Sequence, residues 1–270
     1  MSGTVEFVLP DGSVRRLGNN EPPAGLTRAW PVYGDSKEAP MVARSQWDAQ
    51  IAAMGGDSDD PFLPYVHDQD GVGQCNCDAT AAIAEYTRAR QGLPFIKLSA
   101  SDLYNRINRG GDNGSLLEDA VHEMTINGIG TAETCGLIWR RGMKTATSEE
   151  RSRFKALEIF LCPTFDHVMS AVICKFAIVT GISWFNNYNP DGDGWLPPGR
   201  GGGGGHAILG YKPTSRNGKY GIWHQNSWGT GWGQRGRFVI PEGAYGRDIG
   251  GWWAMRSMVD EGGVLPAIKS

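Results

Sequence analysis

The sequence predicts an α+β protein in which helices precede a sheet. Between Asp78 and Met124, capping residues and apolar positions spaced three to four apart mark helices. From about residue 176 the texture changes to short apolar runs separated by turn residues, as strands require. A chain of 270 residues is long enough for two lobes packed on each other, with a cleft between them.

Residues 1–40 read as an N-terminal extension. Pro10-Asp11-Gly12 is a strong turn, Asn19-Asn20-Glu21-Pro22-Pro23 is irregular, and the apolar period is weak, so an arm or a small hairpin is expected. Residues 41–270 form the main domain, with a helical lobe over about 41–160, a β lobe over about 161–256 and a tail to 270. A polar loop over Asp57–Pro64 leads into the first helix signal, Asp78–Arg90, which ends before Gly92 and Pro94. Ala79, Ala82, Ile83 and Tyr86 give that helix a buried stripe, and Cys75 falls at its N-terminal end. Ser99-Ala100-Ser101-Asp102 caps a second helix. A third runs from Ser115 to Met124, stopped by Gly128 and Gly130. Strands are expected at Phe176–Gly181, Ala207–Tyr211 and Arg237–Ile240. The run Gly201–Gly205 reads as a flexible linker or, given its place before His206, a mobile rim.

The formal net charge of -3 provides no field to hold nucleic acid. The N-terminus lacks a basic start followed by an apolar stretch, and no uncharged apolar run approaches the ~20 residues of a membrane span. Cytoplasmic synthesis is therefore expected, with no membrane partner. Five cysteines lack the dense spacing of a disulfide scaffold, and at least one must be free in a monomer. Cys75 and Cys77 have no second paired motif to complete a zinc site. Asn189–Gly194 has the oxygens and sixth-position glycine of half a calcium loop, but Arg200 takes the place of the closing glutamate, so a solvated turn is expected. His67, His122, His167 and His224 have no ligand spacing. No cofactor or metal is expected.

The chemistry concentrates in three segments. A thiol at a helix N-terminus is favoured as thiolate by the unpaired N–H groups and the dipole there, which is the address of Cys75. His206 follows 131 residues later (206 minus 75), and Asn226 a further 20 on. An imidazole can take the thiol proton, and an amide carbonyl on the other ring nitrogen fixes its tautomer.

Together these segments resemble the papain family of cysteine peptidases, which joins Gln-x5-Cys at a helix start to a later His-Ala strand and an Asn-Ser-Trp-Gly motif. Here they read Gln69-Asp70-Gly71-Val72-Gly73-Gln74-Cys75, then Gly205-His206-Ala207, then Asn226-Ser227-Trp228-Gly229. The likeness spans about Val42 to Trp253. It implies a two-lobed fold and peptide-bond hydrolysis through a thiolate–imidazolium pair and an acyl-enzyme. It further implies Cys75 as nucleophile, His206 as base, Asn226 as its orienter and Gln69 in the oxyanion hole. Trp228 would shield the His–Asn bond, and Asn113, Gly114, Ser115 and Gly205 would border the substrate. Cys75 is chosen over Cys77 because it alone lies six residues after Gln69 and ten before Glu85, as in the family; Cys77 is expected to be buried packing.

The departures are equally specific. Asn76 stands where the family has tryptophan, and Ser115 replaces a second glycine at the cleft edge. Val72 and Asp112 occupy the positions of a disulfide in secreted members. Only about 40 residues precede Val42, which argues against control by a removable inhibitory pro-domain. The partner implied is a peptide or protein substrate. The alternative is a papain-fold structural component of a phage particle or other assembly, with assembly proteins as partners.

Overall fold

The computed structural model describes residues 4–25, 28–245 and 248–259. The extension opens with a hairpin, β1 (Val5–Val8) and β2 (Val14–Leu17), paired antiparallel with Val5 opposite Leu17. The turn comes where Pro10-Asp11-Gly12 predicts it, with Asp11 accepting the Ser13 N–H. The helical part follows: α1 (Trp47–Met54), α2 (Cys75–Arg90), α3 (Ala100–Ile107), α4 (Leu117–Ile126) and two short helices, α5 (Ala132–Cys135) and α6 (Ser148–Ser152). Next come β3 (Ala156–Leu161), α7 (Phe165–Ile173), β4 (Ala177–Phe185), β5 (Gly203–Arg216), β6 (Lys219–Gln225), β7 (Arg237–Pro241) and β8 (Asp248–Met258). Strands β3 to β8 form one antiparallel sheet in the order β3-β8-β4-β5-β6-β7, left open because its end strands do not pair. The tail from residue 260 lies outside the described residues.

Local rules account for most of these elements. Ser99 caps α3 by accepting the Asp102 N–H, as a serine one residue before a helix should. The third predicted helix starts two residues later than Ser115, which belongs to the cleft edge and provides no cap. Helix α2 departs further from expectation: residues from Cys75 to Arg88 are buried all round, so the helix has no single buried stripe. Its alanines let the sheet approach one side while α3 and α4 pack on others.

The sheet is covered on both faces. Ala177, Val179, Ala207, Leu209 and Tyr211 point into the core shared with α2, α3 and α4. Ile178, Ile182 and Ile208 point to the opposite face, where Trp47, α7 and the apolar side of the hairpin pack. The glycine run corrects its expectation, because Gly203–Gly205 belong to β5 and pair with Phe185, Trp184 and Ser183 of β4. A Cβ at Gly203 would lie 1.7 Å from the Trp184 carbonyl oxygen, so close strand approach is the reason for glycine there.

Candidate active site

Cys75 is the first residue of α2, His206 lies on β5, and Asn226 follows β6 directly; α2 packs against β5. The fold thus gathers residues scattered over the chain. His206 Nε2 donates to Asn226 Oδ1 at 2.8 Å. Because that oxygen also accepts the Ser227 N–H, it acts as an acceptor, which assigns the imidazole proton to Nε2 and leaves the Nδ1 lone pair bare. Nδ1 is buried and has no hydrogen-bond partner among the described residues. Trp228 stacks on the imidazole at 4.9 Å between ring centroids, and Trp184 meets it edge-on at 5.0 Å. These indoles keep water from the His206–Asn226 bond.

Gln69 is held from both ends. Its Oε1 accepts from Ser227 Oγ (2.6 Å) and Trp228 Nε1 (3.2 Å), which turns Nε2 the other way. Nε2 donates to Val72 O (2.8 Å) and to Arg16 O (2.7 Å), the second a carbonyl of the N-terminal extension.

That bond is one of a series along the extension. Gly18 N–H points at Cys75 Sγ at 3.4 Å. Ser115 N–H donates to Gly18 O, Asn20 N–H donates to Ser115 O, and Asn19 N–H donates to Gly205 O, all at 2.9–3.0 Å. Asn20 Nδ2 reaches Asn113 O at 3.0 Å. Phe7 of β1 stacks on Trp228 at 5.4 Å. Asn113, Gly114, Ser115 and Gly205, expected to border the substrate, and Trp228 therefore all lie against the arm. A Cβ on Gly114 would meet Gly18 O at 2.4 Å, and one on Gly18 would meet Gly73 O at 1.9 Å, so the crossing depends on glycine at both places. Beside the arm, a cavity of about 580 Å³ remains, lined by Asn108, Asn113, Ser115, Gly204, Gly205 and Pro22.

The extension, expected as an arm or a small hairpin, therefore lies across the site itself. Only Arg16 to Asn20 are needed to cross from Gln69 to Ser115, because extended chain gains about 3.3 Å per residue. The salt bridge from Arg16 to Asp112 fastens the crossing, and the one from Arg16 to Glu6 lies within the hairpin. Further along, Arg28 pairs with Asp119, Trp30 Nε1 donates to Glu118, and Tyr33 is buried.

Burial shifts both reactive groups towards their neutral forms. Burial pushes the Cys75 thiol up to about 11, against the backbone amides of Gly18, Ala207 and Asn76, which favour thiolate. Burial also lowers His206 to about 4, outweighing its bond to Asn226. Both shifts favour thiol and neutral imidazole in the arm-covered site. Cys77 is buried, with its thiol held well above the ordinary range by desolvation.

Sequence reasoning missed two supports. His67 is sandwiched between Asp78 Oδ1 (3.2 Å) and Glu85 Oε2 (3.1 Å), two residues before Gln69, with all three side chains almost wholly buried. Asp112, standing where secreted papain-like chains have a cysteine, accepts from Gly73 N–H, Tyr104 OH and Arg16. It ties the segment before Cys75 to the helical lobe without a disulfide; all five cysteines are free. Neither arrangement leaves a motif, since each joins residues whose spacing acquires meaning only in the fold. In the half calcium loop, Asp191 and Asp193 both accept from Arg216.

With this geometry in view, the comparisons are direct. No family model matches the chain, and no curated protein matches it by sequence. Solved structures do. Xylellain, a cysteine protease from Xylella fastidiosa, superposes with a TM-score of 0.70 at 19% identity, covering 90% of this chain and 97% of that one. ProCathepsin B S9 from Trypanosoma congolense gives 0.62 at 14% identity over 86% and 83%. Digestive procathepsin L 3 of Tenebrio molitor larval midgut gives 0.57 at 17% over 86% and 73%. The chain has the papain-like cysteine protease fold. Among the described residues, no helix is long and apolar enough to cross a membrane.

Proposed function

We propose that this chain is a papain-type thiol peptidase whose active site is covered by its own N-terminal arm. The observation carrying this reading is the arm itself: an extended main chain fills the cleft by backbone hydrogen bonds to Ser115 and Gly205, with a carbonyl on Gln69. A groove that binds one extended peptide in this way is chemically suited to bind another. The arm presents Gly18 N–H to the sulfur instead of a carbonyl carbon, so it blocks without being attacked.

Once the arm is displaced, the Cys75 thiol proton passes to His206 Nδ1 and the thiolate adds to the substrate carbonyl. Gln69 Nε2 and the Cys75 N–H hold the oxyanion. Collapse breaks the C–N bond, and the amine leaves with the proton from His206. Water, deprotonated by His206, then splits the thioester to acid and free thiol. Asn226 keeps the imidazole turned for both transfers.

The test is cleavage of a denatured-protein or peptide library by the reduced protein, alongside Cys75→Ala. Hydrolysis lost in Cys75→Ala supports the reading. If cleavage is absent even in an arm-displaced variant, and Cys75 reacts no faster than an ordinary thiol, the fold serves a structural role here.

A further inference from the structure

Two departures from the papain pattern, far apart in sequence, meet at the cleft. Asn76, second residue of α2, is fully buried, and its Nδ2 donates to both the Ser115 carbonyl (2.8 Å) and the Ser115 hydroxyl (3.0 Å). Its Oδ1 lies 3.9 Å from Cys75 Sγ, where it can accept the S–H. Ser115 in turn gives its N–H to Gly18 O and receives Asn20 N–H on its carbonyl. The Ser115 carbonyl thus uses one lone pair on Asn76 and the other on the strand in the cleft.

A buried amide is costly unless it is hydrogen-bonded, and this one spends its donors on the residue that pairs with the cleft strand. We infer that Asn76 is a positioning residue for peptide recognition. By holding the Ser115 peptide plane, it aims the Ser115 N–H and C=O at an extended backbone, and the arm and a substrate compete for this one prepared edge. The hydroxyl of Ser115 gives the amide a second acceptor, so Asn76 and Ser115 act as a unit in place of the tryptophan and glycine of related chains. The substrate half of this inference rests on the peptidase reading above; the arm half does not.

Two variants of the full chain test it: Asn76→Ala, and Asn76→Asp, which keeps the shape but loses the donor. Amide hydrogen exchange is followed by mass spectrometry, and Cys75 labelling is timed with iodoacetamide and with a peptidyl epoxide. Exchange over residues 16–20 and 113–117 should quicken about tenfold in both variants, the effect of losing a net hydrogen bond or two, and stay unchanged over residues 208–212. The ratio of peptidyl-epoxide to iodoacetamide labelling rates should fall about tenfold, because only the peptidyl probe needs the Ser115 edge. Unchanged exchange at 113–117 in Asn76→Asp overturns the positioning role, as does quickening spread over the whole chain. An unchanged labelling ratio removes the substrate half. If Gly18→Ala, in which the added methyl displaces the arm, shows no preference for the peptidyl probe, the peptidase reading fails, and the exchange data still decide whether Asn76 aims Ser115 at the arm.

Discussion

The protonation of Cys75 and His206 follows from what covers them. Helix α2 offers its positive end to the sulfur, which favours thiolate, but complete burial outweighs that and holds the thiol up to about 11. His206 is held down to about 4 by the same exclusion of water. An imidazole that stays neutral when buried binds its proton more readily once exposed. Folded, arm-covered protein therefore loses stability as pH falls from 6.5 towards 4, because the exposed form takes up a proton that the covered form refuses. We predict that Cys75 in the intact chain is alkylated slowly at neutral pH, with a rate that climbs towards pH 11, and that lowering pH from 6.5 to 4 increases arm exposure. Limited proteolysis within residues 1–25 reads the second effect; protection that grows on acidification would contradict it. Cys75, His206, Asn226 and Gln69 could be named as candidate site residues because each sits in a local motif with chemistry of its own. Their resting protonation was not legible, since the burial that shifts it is assembled from segments distant in sequence, such as Gly18, 57 residues from Cys75 along the chain (75 minus 18).

At the level of elements, the strand and loop flanking the nucleophile are set by interactions of very different visibility. Helices α2 and α3 were legible from Cys75, Ser99 and the apolar spacing, which act within one or two turns. The place of Gly203–Gly205 was not, because a glycine run has no side chains to report that a neighbouring strand lies close on one face. The His67–Asp78–Glu85 cluster pins the segment leading to Gln69 onto α2. Burial alone would lower the His67 pKa, but the Glu85 and Asp78 carboxylates prevail and raise it to about 10, so the imidazole is cationic in the fold. This contribution is fully present below pH 6.5, the unfolded value, and is lost as pH rises through about 10. His67→Ala leaves two buried carboxylates without their cation and should cost about 3–5 kcal/mol of stability, the scale for breaking one side of a buried ion pair. Chemical denaturation at pH 6 measures it; a loss within experimental scatter of zero would show that the cluster does not hold the loop.

For the molecule as a whole, the order of motifs along the chain was enough to indicate helices first, sheet second and a cleft between them. Each motif must reach the same point in space, and few architectures allow that. The arm was legible only as an extension with a turn at Pro10-Asp11-Gly12, because its docking is main chain on main chain. Such contacts depend on the absence of side chains at Gly18 and Gly114 and on the shape of a cleft formed by other segments. The central claim is that a competent thiol–imidazole site lies beneath this arm. Gly18→Ala tests it most directly, since the added methyl would fall 1.9 Å from the Gly73 carbonyl oxygen, while Cys75, His206, Asn226 and Gln69 remain unaltered. The measurement is the rate at which a peptidyl epoxide labels Cys75 in the intact chain, in Gly18→Ala and in Gly18→Ala/His206→Ala. The account predicts that Gly18→Ala is labelled at least about tenfold faster than the intact chain and that removing His206 cancels the gain, as general-base catalysis of that order requires. Equal rates in all three proteins, or labelling at a cysteine other than Cys75, would contradict it.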